Sequence, residues 1–193
     1  PSVWGICATD NNSIWVGTDG GGIQLLNPYT NTLKSLPKEP FSDLAILSAI
    51  ETSWGEVWFG TYSAGITIYD LTIDSFRTVS SNQGLAGNDI RALFEGRNNN
   101  IWIGTNGSGL HVYNHETKQL NHITQTDYYD IRAIQQDADG NIWLASFGDG
   151  LIKYSPEKQE LTNYNWLDNN GLTPVAYCIL HDRHENKIWL GTR

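Results

Sequence analysis

Three short stretches hold residue types that could do chemistry. His181, Asp182 and His184 set two imidazoles around a carboxylate, the ingredients of metal ligation or general-base work. No third ligand stands at a fixed spacing, and the stretch joins two strand-like runs, so it reads as a solvated loop. Asp137-Ala138-Asp139-Gly140-Asn141 resembles the start of a calcium loop, but no glutamate follows at the bidentate position, and it reads as a hairpin turn. Gly20-Gly21-Gly22 is followed by neither Lys-Ser/Thr nor a helix, so it is a flexible turn and not a phosphate loop. No catalytic residue, metal-ligand set or cofactor is expected.

Composition narrows the partners. A net charge of −9 and a pI near 4.8, with 12 basic residues scattered along the chain, argue against nucleic acid. The same balance disfavours an anionic ligand unless basic residues converge locally. Cys7 and Cys178 show no metal-binding spacing and are expected to be free, mostly buried thiols. No apolar run approaches the roughly 18–20 residues needed to cross a bilayer, and the start of the sequence does not read as a signal peptide. With 39% hydrophobic residues the chain is globular.

The elements that must position any site are read from repetition. Ile14-Trp15-Val16-Gly17-Thr18 returns as Val57-Trp58-Phe59-Gly60-Thr61, as Ile101-Trp102-Ile103-Gly104-Thr105, more loosely as Ile142-Trp143-Leu144-Ala145-Ser146, and as Ile188-Trp189-Leu190-Gly191-Thr192. Successive tryptophans lie 43, 44, 41 and 46 residues apart. Each unit holds four β-branched and aromatic-rich runs separated by Gly, Asn and Asp; in the third they are 90–94, 101–104, 110–113 and 119–123. No segment sustains a 3.6-residue apolar period. Four antiparallel strands per unit of this length predict an all-β fold of β-propeller blades. The Trp is expected to fill space between neighbouring sheets, the Gly to allow close backbone approach, and the Thr or Ser to bond a loop backbone group. Arg91 and Arg132 fall at equivalent strand positions, where Trp4, Ser48 and Tyr177 stand in other repeats, and are expected to pair across blades.

The pattern Ile-Arg-Ala-Ile, then Asp-x-x-Gly-Asn-Ile-Trp-Leu, then Gly-Leu and an aromatic, resembles the two-component regulator propeller repeat. Its clearest copies run over 131–154 and 90–113. The resemblance implies blades of a seven-bladed propeller, often two in tandem before an immunoglobulin-like domain. It also implies the periplasmic sensor of a membrane-bound hybrid histidine kinase of the kind that answers to oligosaccharides in gut bacteria. The Gly-Asn-Ile-Trp hairpins are also similar to those of virginiamycin B lyase propellers, but the His-Glu-His set of that family has no counterpart here. A non-sensing scaffold propeller is the other alternative.

Four complete units, at about 1–43, 44–87, 88–128 and 129–173, and an incomplete fifth at 174–193, form one partial propeller. They fall short of the roughly 300 residues of a seven-bladed ring. An open arc is expected, completed by further blades or another chain, with a closed four-bladed ring as the alternative.

The residue after each Gly-Thr varies, and the inter-blade loops are uneven: Phe41-Ser42-Asp43, Ser81-Asn82-Gln83, Tyr128-Tyr129 and 166–170. Aromatics interleaved with Asn and Asp on one rim suit a sugar, whose C–H faces stack on rings while amides and carboxylates take its hydroxyls. The expected ligand-binding set is Asp19, Tyr62, Asn106, Tyr128, Phe147 and Trp166. The expected partners are an oligosaccharide, the remaining blades and domains of a parent sensor, and a second copy in a homodimer.

Overall fold

The computed structural model describes residues 2–9, 12–36, 45–164 and 175–192. Among them the fold is all-β, with four four-stranded antiparallel sheets and one two-stranded sheet. Blade 1 is β1 (Val3–Ala8), β2 (Ile14–Thr18), β3 (Gly22–Asn27) and β4 (Thr32–Ser35); blade 2 is β5 (Ile46–Glu51), β6 (Glu56–Thr61), β7 (Ile66–Asp70) and β8 (Ser75–Val79). Blade 3 is β9 (Ile90–Glu95), β10 (Asn100–Thr105), β11 (Leu110–Asn114) and β12 (Gln119–Ile123). Blade 4 is β13 (Ile131–Gln136), β14 (Ile142–Ser146), β15 (Gly150–Ser155) and β16 (Glu160–Tyr164), and the half-blade is β17 (Ala176–Asp182) with β18 (Lys187–Thr192). Each sheet is a simple meander in chain order. The chain divides into two compact units, Pro1–Leu93 and Phe94–Arg193.

The repeated motif lies on the second strand of every blade, and in the four complete blades apolar residues are deepest there. In the first unit Trp15 meets Phe59 edge-on at 5.5 Å and Tyr69 at 5.4 Å, so the tryptophan of one blade packs on the next. Cys7, Ile23, Ile46, Val57 and Phe59 complete that inter-blade core. In the second unit Trp102 meets Tyr154 at 6.2 Å, and Trp143 packs against the cluster of Ala145, Ala176 and Ile179. Fully burying side chains of this size contributes about 1.5–3 kcal/mol each.

The glycine of the motif is needed for the same contact. A Cβ on Gly17 would stand 2.5 Å from Ile46 Cγ2, inside van der Waals contact. In blade 4 the position is Ala145, buried against Ala176, whereas β5, β9 and β13, which follow a motif glycine, open with Ile46, Ile90 and Ile131. The two positions therefore covary in size.

The hydroxyls hold the next loop. Thr18, Thr61 and Thr105 donate from Oγ1 to the carbonyls of Gly22, Gly65 and Gly109 at 3.0, 2.9 and 2.8 Å. The turn between third and fourth strands repeats as well, with Asn31, Asp74, Lys118 and Gln159 at positive φ of 51–59°. In three of these turns an Asn or Asp side chain at the end of the third strand accepts backbone N–H bonds, as Asp70 does from Thr72 at 2.8 Å.

The indole N–H of the motif finds a carboxylate in two blades. Glu56 accepts from Trp54 and Trp58, both at 2.9 Å, and from Arg77 at 2.6 Å. Burial raises the Glu56 carboxyl, but these donors prevail and hold it below the usual carboxylate range. Asp137 takes the Trp143 N–H at 2.7 Å together with donors from Asp139 and Asn141, and its carboxyl is likewise held low against the effect of burial. The 137–141 stretch is thus a self-satisfied hairpin turn.

Two expectations are corrected. Cys7 is buried, with burial raising its thiol pKa, whereas Cys178 is exposed; both are free. His181 is buried, not part of a solvated loop, while His184 is exposed.

Candidate functional site

The first strands of blades 1, 2 and 4 and of the half-blade carry a one-residue irregularity near the rim. Register slips between Val3 and Gly5, Ile46 and Ser48, Ile131 and Ala133, and Ala176 and Cys178. The bulged residues are therefore Trp4, Leu47, Arg132 and Tyr177. Leu47, not Ser48, is the true counterpart in blade 2. A bulge re-aims its side chain out of the alternation of the strand. Just beyond it, the residue after the Gly-Thr motif extends the ladder: the backbone N–H groups of Asp19, Tyr62 and Phe147 donate to the carbonyls of Ser2, Ala45 and Asp130 at 2.9, 3.0 and 2.8 Å. The architecture thus fixes this backbone while leaving its side chain free to vary.

In the second unit the rim converges on Asp130. Phe147 donates to its carbonyl, Asn106 forms a β-bridge with it, and its carboxylate lies 2.5 Å from Arg132 Nη2. The Arg132 guanidinium lies 5.0 Å from the Phe147 ring centroid, a cation–π contact. Tyr177, from the half-blade, meets Phe147 edge-on at 6.1 Å. The Asp130 and Arg132 side chains keep 15% and 24% of their surface exposed, and Phe147 and Tyr177 keep 44% and 43%. The result is an accessible wall of two rings beside a locally neutralised ion pair.

Tyr128 stands two residues before Asp130, 89% exposed and at φ 74°. Positive φ is unusual for a bulky residue and stores backbone strain. The Tyr129 carbonyl accepts from Gly107, so the 128–130 loop is fastened to the loop carrying Asn106. The structure therefore brings Asn106 and Phe147 together on Asp130 and places Tyr128 on the same loop.

The first unit holds a related arrangement, formed between neighbouring blades. Arg91 Nη2 lies 2.7 Å from Asp89, and its guanidinium sits 5.4 Å from the centroid of Tyr62, which is 53% exposed. Asp19 is an exposed turn residue. Trp166 lies outside the described residues, as do 41–43 and 167–170. Both arginines form their ion pair with an aspartate two residues back; Arg132 also keeps its ring contact within blade 4, whereas Arg91 of blade 3 reaches across to Tyr62 of blade 2, as expected of it. Sequence reasoning missed Asp89 and Asp130, although the duplicated Asp-Ile-Arg-Ala at 89–92 and 130–133 carried the signal.

The family described as two component regulator propeller matches residues 84–107 and 127–148, so the third and fourth repeats are two component regulator propeller repeats. Among solved structures, the chain superposes on the extracellular domains of two hybrid two component systems from B. thetaiotaomicron. One gives a TM-score of 0.80 at 25% identity, covering 99% of this chain and 25% of that one; the other gives 0.81 at 22% identity, covering 99% and 26%. The virginiamycin B lyase of Staphylococcus aureus gives 0.75 at 17% identity, covering 97% of this chain and 62% of the lyase. The chain spans about a quarter of the length of the two-component ectodomains. No curated protein sequence matches it. The solved structures show propeller blades, and the family match falls on the third and fourth of them. Among the described residues, no helix is long and apolar enough to cross a membrane.

Proposed function

We propose that this chain is part of the extracytoplasmic, ligand-sensing propeller of a two-component sensor, and that its rim takes an oligosaccharide. The sensor is periplasmic, anchored in the inner membrane, and passes binding to a histidine kinase. The observation that supports this reading is the wall formed by Phe147 and Tyr177 beside the Asp130–Arg132 pair. Rings of this exposure offer stacking surface to pyranose C–H faces, while the carboxylate accepts from sugar hydroxyls and the guanidinium donates to them. A neutralised pair favours an uncharged ligand. Asn106 and the strained, exposed Tyr128 extend the same surface in the second unit; Asp19 and Tyr62 are the corresponding candidates on the rim of the first unit, and Trp166 remains a candidate from the sequence. Similarity to ectodomains of hybrid two component systems supports the sensor role.

Signalling follows as a population shift: the ligand stabilises whichever arrangement of blades, neighbouring domains and dimer partner it binds more tightly. The segment itself performs no catalysis. Calorimetry of the complete ectodomain against plant and host oligosaccharides tests this. Saturable binding is expected, weakened at least tenfold by Phe147→Ala and unchanged by Tyr29→Ala, an exposed tyrosine in the turn between β3 and β4, at the end of blade 1 away from its rim loops. An ectodomain that binds no member of the panel sinks the proposal.

A further inference from the structure

At the opposite ends of these strands, the second unit holds a second concavity. The antiparallel register puts the start of β13 and the end of β14 at the rim, so the turns joining first to second strands lie at the other end of each blade. Three of these turns, after β9, β13 and β17, wall a cavity of about 420 Å³. It is lined by Phe94, Arg97, Gln136, Asp137, His181 and Arg183, with Glu95 and the small residues Gly96 and Ala138 between them. In a chain of net charge −9, this is a place where basic residues from different repeats converge.

The charges on its wall are not equally available. Arg97 is locked in place: its backbone N–H donates to Gln136 Oε1 at 2.8 Å, and its Nη2 reaches the carbonyls of Asp137 at 3.2 Å and Ala138 at 2.7 Å. Those carbonyls carry no full charge, so the guanidinium keeps its positive charge. The Asp137 carboxylate is turned to its own hairpin, holding Asn141, Asp139 and Trp143. His181 is fixed by a 3.0 Å contact between Nε2 and Asn186 Oδ1. Arg183 is exposed, and no ion pair among the described residues uses its guanidinium.

We propose that this cavity binds a small monocarboxylate, with Arg183 gripping the carboxylate, Arg97 supplying fixed positive charge behind it, and Phe94 receiving the apolar part. An open guanidinium fork matches a planar carboxylate through two parallel hydrogen bonds. Glu95 on the wall offsets part of the positive charge, which favours a monoanion over a phosphate dianion. The volume fits a molecule of metabolite size. The site is separate from the rim and stands or falls independently of the sugar reading.

The test is calorimetry of the 193-residue chain with acetate, benzoate, glucuronate and inorganic phosphate, alongside NMR of the arginine Nε–H and histidine ring signals. Saturable binding of at least one carboxylate is expected, with the Arg183 and His181 signals moving together. Arg183→Gln weakens it at least tenfold while leaving the folded state intact, and Lys118→Ala, an exposed residue of the turn between β11 and β12, leaves it unchanged. Absence of binding by all three carboxylates overturns the proposal. So does equal binding by Arg183→Gln, or phosphate binding more tightly than every carboxylate.

Discussion

His111 is a residue whose chemistry is set wholly by its neighbours. It sits on β11, buried, directly across from His122 on β12, the two rings stacked at 4.4 Å and 10°. Burial, then the charge of His122, pushes its pKa down to about 4, against a smaller upward pull from Asp127, which lies 2.8 Å from His122 Nε2. The native state therefore holds His111 neutral across a range where the unfolded chain, with an ordinary imidazole near 6.5, takes up a proton. As pH falls from above 6.5, the unfolded state gains stability that the native state does not. The loss reaches about 3 kcal/mol near pH 4, below which both states are protonated and it stops growing. Urea unfolding of wild type and His111→Phe at pH 8 and pH 4.5 checks this. The variant is expected to lose less stability over that interval, and a wild-type-to-variant difference that does not change with pH refutes it. None of this was legible in the sequence, because His111 and His122 are eleven residues apart and become neighbours only through the register of a hairpin.

At the scale of the element, the blade motif was legible almost completely. Spacing, strand type and the roles of Trp, Gly and Thr all followed from five copies of one pattern, because repetition separates what the architecture needs from what it tolerates. What could not be read was register. Leu47 and not Ser48 is the blade-2 counterpart of Arg132, since both lie 11 residues before their motif tryptophan, but the bulge that re-aims these side chains shows only in the strand pairing. A bulge leaves no residue type behind in sequence, only a shift of one position. The size coupling between the motif glycine and the next blade yields a prediction. Gly17→Ala drives a Cβ into Ile46 and is expected to cost about 1–3 kcal/mol, the usual penalty of overpacking. Ile46→Ala alone costs about 2–5 kcal/mol by opening a cavity. The double variant reproduces the Ala145–Ala176 pairing of blade 4 and is expected to be more stable than the sum of the single effects by at least about 0.5 kcal/mol. Strict additivity in denaturant unfolding would show that the two positions do not share space.

Across the whole molecule, equivalent residues are not energetically equivalent. Trp15, Trp58 and Trp102 are 3%, 1% and 4% exposed, whereas Trp189, at the same place in the motif, is 57% exposed, and Leu180 beside it on the half-blade is 60% exposed. In repeat proteins stability is roughly a sum of each unit and its interfaces with neighbours, so a motif residue is worth what its interface buries. The sequence shows five like tryptophans and gives no sign of which are sealed. Trp58→Ser is therefore expected to destabilise the chain by about 3–5 kcal/mol, as for a buried aromatic removed from a core. It also strips the partner from Glu56, which would then accept only from Trp54 and Arg77. Trp189→Ser is expected to fall within about 0.5 kcal/mol of wild type, as exposed substitutions do. Guanidinium unfolding of the two variants decides the matter, and equal losses would contradict it. The same pair distinguishes the isolated chain from a longer sensor. If further blades cover β17 and β18 there, as the proposed function requires, Trp189→Ser becomes costly in the longer protein while Trp58→Ser keeps its effect. A Trp189 variant that stays neutral in the complete ectodomain would mean that this face meets no neighbouring blade.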